Sequence, residues 1–287
     1  MAVIHVVATG PQALIEDLGR PGHLAIGVAP SGAIDAPSLR LANRVVGNPE
    51  DAAGLEVVLG GLVLQADSPI VVMVAGAPAP VTIDRRAVPF GEPVTVAPGS
   101  RLALGRPPAA LRSYVAIRGG IDVPAVLGSR STDTSSGLGP TPLQAGDQLP
   151  VGPAPDQPVT HADHLPVPGG PVQVVAHLGP RDDLLTNEAK DQLAQSVWRV
   201  SSHTDRIGVR LEGPPLDLTH TGELPSSPII AGAIQVPPSG QPIIFLNDHP
   251  TTGGYPIVAC IRTEDLAHLG QARPGDVVRI SLRDNPI

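Results

Sequence analysis

The sequence predicts a mainly β protein, built as two β-rich units with a few short helices. Three observations carry this reading. Short runs of Val, Ile, Leu and Ala recur along the chain, and turn residues interrupt them every few positions. The 35 prolines and 32 glycines are scattered without a period, which excludes a collagen-like repeat and supplies the turns. Helix-period stretches are few and short, so the strands do not alternate with helices as they do around a parallel sheet.

Taken in order, residues 2–8 alternate toward a strand. EDLGRPGHLAIGVAPSGAID (16–35) is a long glycine-punctuated loop; such loops are functional or disordered, and Leu18, Leu24, Ile26 and Val28 argue for order. A helix follows. Asp35 is its N-cap, Pro37 lies in its first turn, Leu39, Ala42, Val45 and Val46 form its apolar face, and Gly47 stops it. From Leu55 to Arg118 the runs LEVVLG, GLVLQA, PIVVMVAG, APVTID, PVTVAPG, SRLALG and RSYVAIR read as strands of a closed or sandwiched β structure. LGSRSTDTSSGLG (127–139) is a second polar loop. LQAGDQLPVG (143–152) gives a turn and a strand, and ARPGDVVRISL (272–282) echoes it weakly. A Pro-rich linker is expected at 155–171, between an N-terminal β domain (1–154) and a C-terminal β domain (172–287). The second domain opens with the strand VQVVAHLG. It continues with a helix over roughly 186–197, capped by Thr186 or Asn187, with Leu193 and Val197 buried. A short helix over 263–271 precedes the last strand.

Composition narrows the function. Aromatic residues are only 2% of the chain, so the core must be aliphatic. The net charge of −8 and the absence of a basic stripe argue against a nucleic-acid partner. Cys260, the single cysteine, reads as a buried strand residue, and no disulfide within the chain can form, which fits a cytoplasmic protein. The first 19 residues lack the basic and long apolar regions of a signal peptide, and no apolar run reaches the ~18 residues of a membrane span. Basic residues comprise one lysine, Lys190, and eighteen arginines. There is thus no P-loop, and Lys190 sits in a solvated helix, unsuited to a Schiff base or to biotin attachment. Any phosphate or carboxylate is to be met by arginine forks and backbone amides.

Four stretches carry candidate chemistry. Around the first loop stand Arg20, His23, Ser31 and Asp35, and Ser31-Gly32 before a helix start offers an anion site or merely a capped helix. GSRSTD sets Arg130 among hydroxyls, as an anion clamp or as a surface turn with an Arg–Asp pair. SSHTDRIGVRLEG supplies Asp205 and Arg206, with Arg210 and Glu212 on a solvated strand face. GAIQVPPSGQPIIFLNDHPTTGGYP adds Gln235, Asp248 and the segment Thr251–Tyr255. There Gly253-Gly254 would let backbone pass close under a ligand, with Thr251, Thr252 and Tyr255 lining the pocket; a tight turn is the plainer reading. His161 and His164 have metal-pair spacing but lie in the linker, and no metal site is expected.

The order of EDLGRPGHLAIGVAPSGAIDAPSLRLANRVVGNP, YVAIRGGIDVPAVLGSRSTD, TDRIGVRLEG and GAIQVPPSGQPIIFLNDHPTTGGYP is more specific than any one of them. Over about Asp17 to Val278 the chain resembles the C component of bacterial 5-oxoprolinase, in the biotin-dependent carboxyltransferase (allophanate hydrolase subunit 2) family. The resemblance implies a cyclophilin-like β-barrel architecture and partners like the A and B components of 5-oxoprolinase. It also implies an ATP- and Mg-dependent opening of 5-oxoproline to glutamate, active only in the complex. On that basis Asp35, Arg130, Asp248 and Tyr255 are the catalytic candidates, and Arg20, Ser31, Arg206, Gln235, Thr251, Thr252, Gly253 and Gly254 the ligand-binding ones. Two alternatives stay open. One is half of a biotin-dependent carboxyltransferase of the urea carboxylase type; the other is a non-catalytic regulator that binds a kinase inhibitor resembling the B component.

Overall fold

The computed structural model describes residues 2–162, 170–219 and 224–283. The chain divides into two compact units, Met1–Arg20 with Ser31–Pro168, and Pro21–Pro30 with Gly169–Ile287.

The first unit contains β1 (Val3–Thr9), β2 (Gln12–Glu16), β3 (Gly54–Val58), β4 (Leu62–Ala66), β5 (Ile70–Gly76), β6 (Val81–Ile83), β7 (Arg86–Val88), β8 (Val94–Val96), β9 (Arg101–Leu104), β10 (Arg112–Ile117) and β11 (Gln148–Pro150). They form two antiparallel sheets, ordered β11-β1-β4-β9-β6-β7 and β2-β3-β10-β5-β8. Alternate residues of both sheets build one aliphatic core, with Ile4, Val6, Leu62 and Leu64 from the first and Ile15, Leu55, Val72 and Val115 from the second. The other face of the second sheet is covered too. Helix α1 (Ala36–Val45) lays Ala42 and Val45 on Met73, Ala75 and Ala116, and Leu39 on Tyr114. This double cover explains why β10 is buried along its whole length. The predicted ends of α1 are both observed. Asp35 accepts from Ser38 N at 3.1 Å and Ser38 Oγ at 2.7 Å, and Gly47 follows the C-cap with φ of 76°, where a Cβ would stand 2.5 Å from the Gln157 carbonyl.

Part of the expected linker lies against this first unit. Arg118 Nη2 donates to the Pro155 carbonyl at 2.5 Å, and Thr160 N donates to the Val45 carbonyl at 2.9 Å. His161 Nδ1 lies 2.6 Å from Glu92 Oε2, so its contact is a carboxylate; His164 falls outside the described residues.

In the second unit stand β12 (Val172–Leu178), β13 (Trp198–Val200), β14 (Gly208–Glu212), β15 (Ser227–Pro228), β16 (Ala233–Gln235), β17 (Ile243–Phe245), β18 (Thr252–Gly253), β19 (Ile257–Ile261) and β20 (Val277–Arg283). Seven of them close a barrel in the order β12-β19-β16-β17-β14-β13-β20, and β15 pairs with β18 as a separate ribbon. Buried Val174, Ala176, Val209, Leu211, Val278 and Ile280 alternate with more exposed neighbours, the period-2 pattern of a closed sheet. The barrel pairs are antiparallel except β12 with β20, which run parallel from Val172↔Val278 to His177↔Arg283. The mainly β, barrel-containing architecture expected from the sequence is therefore present.

Several local expectations are corrected. Helix α2 (Asn187–Gln195) is capped by Thr186 and buries Leu193, but it ends two residues before Val197, which lies between α2 and β13 and is exposed. Helix α3 (Leu266–Gly270) is preceded by a 3-10 turn at Thr263–Asp265, so the last helical stretch is split. Leu24 and Ile26, expected to order the first loop by burial, form a single 3-10 turn and are exposed; the loop is ordered by polar contacts instead. Cys260 is only half-buried, because it occupies an outward position of β19. Among the described residues no helix is long and apolar enough to cross a membrane.

Candidate functional site

Strand β2 ends at Glu16, and the next residue begins a polar knot that no motif in the sequence announces. Asp17 Oδ1 accepts from Gly19 N at 2.8 Å and from the hydroxyls of Ser129 and Ser131, each at 2.6 Å; Oδ2 accepts from Arg130 N at 2.5 Å. Asp17 N in turn donates to Ser131 Oγ at 2.9 Å. One buried carboxylate thus ties the two glycine-rich loops together. Beside it, Arg20 is 1% exposed; Nη2 donates to the Ser131 carbonyl and Nε to the Val126 carbonyl at 3.4 Å, while Nη1 has no acceptor.

Ser31 opens the approach to α1 in a left-handed conformation, φ 52°, and is buried with its hydroxyl on the Thr132 carbonyl at 3.2 Å. This strap is pinned to the sheet by a cross-strand pair, Tyr114 and Glu56. The Tyr114 hydroxyl accepts from Asp35 N at 2.9 Å and donates to Glu56 Oε2 at 2.7 Å; Ile34 N reaches the same oxygen at 3.3 Å, and Arg112 Nε holds Glu56 Oε1 at 3.2 Å. Burial pushes the Tyr114 hydroxyl well above the usual phenol range, and the charges of Glu56 and Asp35 add to this, so it remains a donor. Asp35 itself spends its carboxylate on the α1 N-terminus, and an anion drawn to that helix end would meet a negative charge already in place.

Arg130 is partly exposed. Its Nε donates to the Val123 carbonyl at 2.8 Å and its Nη2 to Asp122 at 3.1 Å, while Asp133, its neighbour in GSRSTD, instead accepts from Ser135 N, Ser136 N and Ser136 Oγ.

In the second unit the structure joins two candidates that are separate in the sequence. Arg206 and Asp248 form a buried fork, Nε to Oδ2 at 2.9 Å and Nη2 to Oδ1 at 3.0 Å, with both side chains at 2% exposure or less. Asp205 supports the turn before β14 by accepting from Ile207 N and Gly208 N. His249, which carries no sequence signal of its own, is buried with Nδ1 2.8 Å from the Pro250 carbonyl. Gln235 is buried and donates through Nε2 to the Tyr255 carbonyl at 2.9 Å. Gly253 belongs to the ribbon strand β18, and a Cβ there would stand 2.7 Å from Ile229 Cδ1 and 2.9 Å from Gln235 Nε2. Its smallness serves the protein's own packing. Among the described residues a Cβ at Gly254 would meet only the Leu224 carbonyl, at 3.4 Å. Thr251 is partly buried and its carbonyl accepts from Ile229 N at 3.0 Å; Thr252 and Tyr255 are exposed.

Chemically, the candidates split into two sets. Arg20, Ser31, Asp35 and Arg130 belong to the first unit; Arg206, Gln235, Asp248 and Thr251–Tyr255 belong to the second. Within each set the charged groups are held by the protein, which gives rigid, pre-positioned loops and no open fork of arginines.

Comparison with known proteins places this arrangement. The family model of the carboxyltransferase domain, subdomain A and B, matches residues 26–282. The C component of the Escherichia coli 5-oxoprolinase is 36% identical over 288 residues, covering 98% of this chain and 93% of that protein; that of Haemophilus influenzae is 33% identical, covering 96% and 90%. The urea amidolyase of Saccharomyces cerevisiae is 33% identical, but this chain spans only 16% of its length. The crystal structure of the Kluyveromyces lactis urea amidolyase superposes with a TM-score of 0.91 at 32% identity, covering 97% of this chain and 18% of that one. A match of this extent in sequence and in fold means that the chain belongs to the carboxyltransferase domain family, subdomains A and B.

Proposed function

We propose that this chain is the C component of a cytoplasmic, ATP-dependent 5-oxoprolinase, acting with proteins like the A and B components of that enzyme to open 5-oxoproline to glutamate. The supporting observation is the match to the C component from Escherichia coli, 36% identical over 98% of this chain, against 32% and 33% for the two yeast urea amidolyases. The reaction is demanding. A lactam carbonyl is a poor electrophile, and its opening calls for donors to a developing oxyanion and a group that moves a proton. This chain's part in the reading is to hold fixed loops. Asp17 secures the Ser129–Ser131 segment, and Glu56 with Tyr114 secures the Ser31–Asp35 strap.

ATP is a co-substrate of the proposed reaction, and these residues do not form a phosphate cradle by themselves: Arg130 lies on Asp122 and Arg206 on Asp248. Biotin is equally poorly matched, since Gln235 Nε2 already serves the Tyr255 carbonyl and Gly253 is paired within the ribbon. The reading therefore expects the isolated chain to be nearly inactive.

The test is co-expression with the two other components and assay of glutamate released from 5-oxoproline with and without ATP. Release that needs all three chains and ATP is the expected result. Full turnover by the isolated chain, or a reconstituted complex that releases none, would overturn the proposal. Carboxylation of urea by a biotin-bearing partner would replace it with the carboxyltransferase reading.

A further inference from the structure

The outer face of the six-stranded sheet holds a shallow trough away from all the candidate residues above. Strands β4, β9 and β6 alternate along their length. Leu62, Leu64, Leu102, Leu104 and Val81 point into the core, so Val63, Ala103 and Thr82 stand on the other face. The register sets these three side by side, Val63 opposite Ala103 and Ala103 opposite Thr82. The solvent face of an antiparallel sheet ordinarily carries polar side chains. Here a row of small, half-buried residues floors a depression of about 320 Å³. Its other walls, Asp84, Arg85 and Arg101, are exposed.

Both arginines are available to a partner. Among the described residues neither guanidinium makes a hydrogen bond or an ion pair within the protein. Asp84, the acid in the same wall, spends its Oδ1 on Arg101 N at 2.8 Å. The trough thus presents two positive charges against one negative. The turn beside it points the same way. Strands β6 and β7 pair through Ile83 and Arg86, which leaves Asp84 and Arg85 as a two-residue hairpin loop. Both are left-handed, with φ of 48° and 67°. Such loops favour Asp-Gly or Asn-Gly, because a longer side chain is strained there. The hairpin therefore keeps a strained arginine where glycine would close it more easily, and that arginine lines the trough.

We propose that this face docks an acidic segment of another protein. An apolar side chain of the segment rests on Val63 and Ala103, and neighbouring carboxylates meet Arg85 and Arg101. Charge complementarity favours this occupant. The chain as a whole carries −8, so a second copy, a nucleic acid or an anionic membrane is repelled by the rest of the surface. A short acidic segment meets only the local arginines, because charges more than about 8 Å away are screened at physiological salt. Guanidinium forks match carboxylates, and the apolar floor rewards a side chain that a bare anion lacks. The surface belongs to the first unit alone and does not rest on the reaction proposed above.

The test is fluorescence anisotropy of the full chain, at low salt, with two fluorescein-labelled peptides: Glu-Glu-Val-Glu-Glu and its neutral counterpart Gln-Gln-Val-Gln-Gln. The acidic peptide is expected to saturate one site and to weaken as salt is added, and the neutral one not to saturate. Arg85→Gly combined with Arg101→Gln is expected to weaken the acidic peptide at least tenfold, with the melting temperature retained or raised. Should the double variant fail to fold, Arg85→Gly alone still decides, since glycine suits that backbone; a several-fold loss is expected. Ala103→Phe fills the floor without changing charge and is expected to weaken binding several-fold. Absence of saturation by the acidic peptide, equal binding of the neutral one, or binding that ignores Arg85→Gly overturns the proposal. So does a DNA duplex, a phosphatidylglycerol vesicle or a second copy of the chain that engages the same arginines more tightly than the peptide.

Discussion

Asp17 gathers four donors, two of them hydroxyls and two backbone amides, and three of the four come from residues 129–131. Net hydrogen bonds to a charged group are worth about 1.5–3 kcal/mol each, and donors left buried without an acceptor lose more. Asp17→Ala is therefore predicted to destabilise the protein by about 3 kcal/mol or more, read as a lower urea midpoint; an unchanged midpoint would show the knot to be dispensable. The same asymmetry applies to the buried fork. Asp248→Ala leaves Arg206 without that carboxylate and is predicted to cost about 3–5 kcal/mol, whereas the double change Arg206→Met with Asp248→Leu should recover much of the loss. Cys260 offers a gentler check. Burial raises its thiol pKa, so iodoacetamide is predicted to alkylate it more slowly at pH 8 in the folded than in the unfolded protein. At this scale the sequence is partly legible. Arg206 and Asp248 stand out as charged residues near apolar runs, but nothing in a linear spacing of 42 residues pairs them. Asp17 gives no signal because the partners that matter lie 112 to 114 residues away.

Elements are easier to read than the contacts between them. The ends of α1 follow from local chemistry, since a cap, a first-turn proline and a left-handed glycine act within a few residues. Its tether to the following loop does not. Glu50 accepts from Arg44 at 2.8 Å and from Arg40 at 3.1 Å, and these bonds, Arg44 first, hold its carboxyl below the ordinary value of 4.5. Because the folded pKa lies below the unfolded one, the contribution is complete above about pH 4.5 and is lost as pH falls through the folded value. Glu50→Gln is thus predicted to be less stable than the parent at pH 7, with the difference closing as the pH is lowered below about 4. The effect should be small and shrink in high salt, because all three side chains are well exposed. A difference that persisted at acid pH would mean that the glutamate acts through packing. The strand runs from Leu55 to Arg118 are also legible, because alternating aliphatic residues between turn residues admit few other structures. The burial of β10 on both faces is not, since it depends on α1 returning across the sheet.

At the scale of the whole molecule, closure of the barrel is the least legible feature. The seal joins β12 to β20, strands more than 100 residues apart, and β20 also pairs with β13 on its other side. Deleting residues 277–287 is predicted to leave the edges of β12 and β13 unpaired and to yield insoluble protein, measured as the loss of the soluble fraction at equal expression. A soluble, monomeric product with an intact barrel spectrum would argue that β20 is an accessory strand. There is also a consequence in time. Translation proceeds at about 5–20 residues per second, so β12 waits on the order of ten seconds for the strand that seals it. Throughout that interval the half-built wall exposes two open edges, in a cell where other copies of the same chain are at the same stage. Slow codons late in the message would therefore lengthen that exposure and lower the yield of soluble protein. The position of its last strand makes its synthesis a race between closure and mispairing.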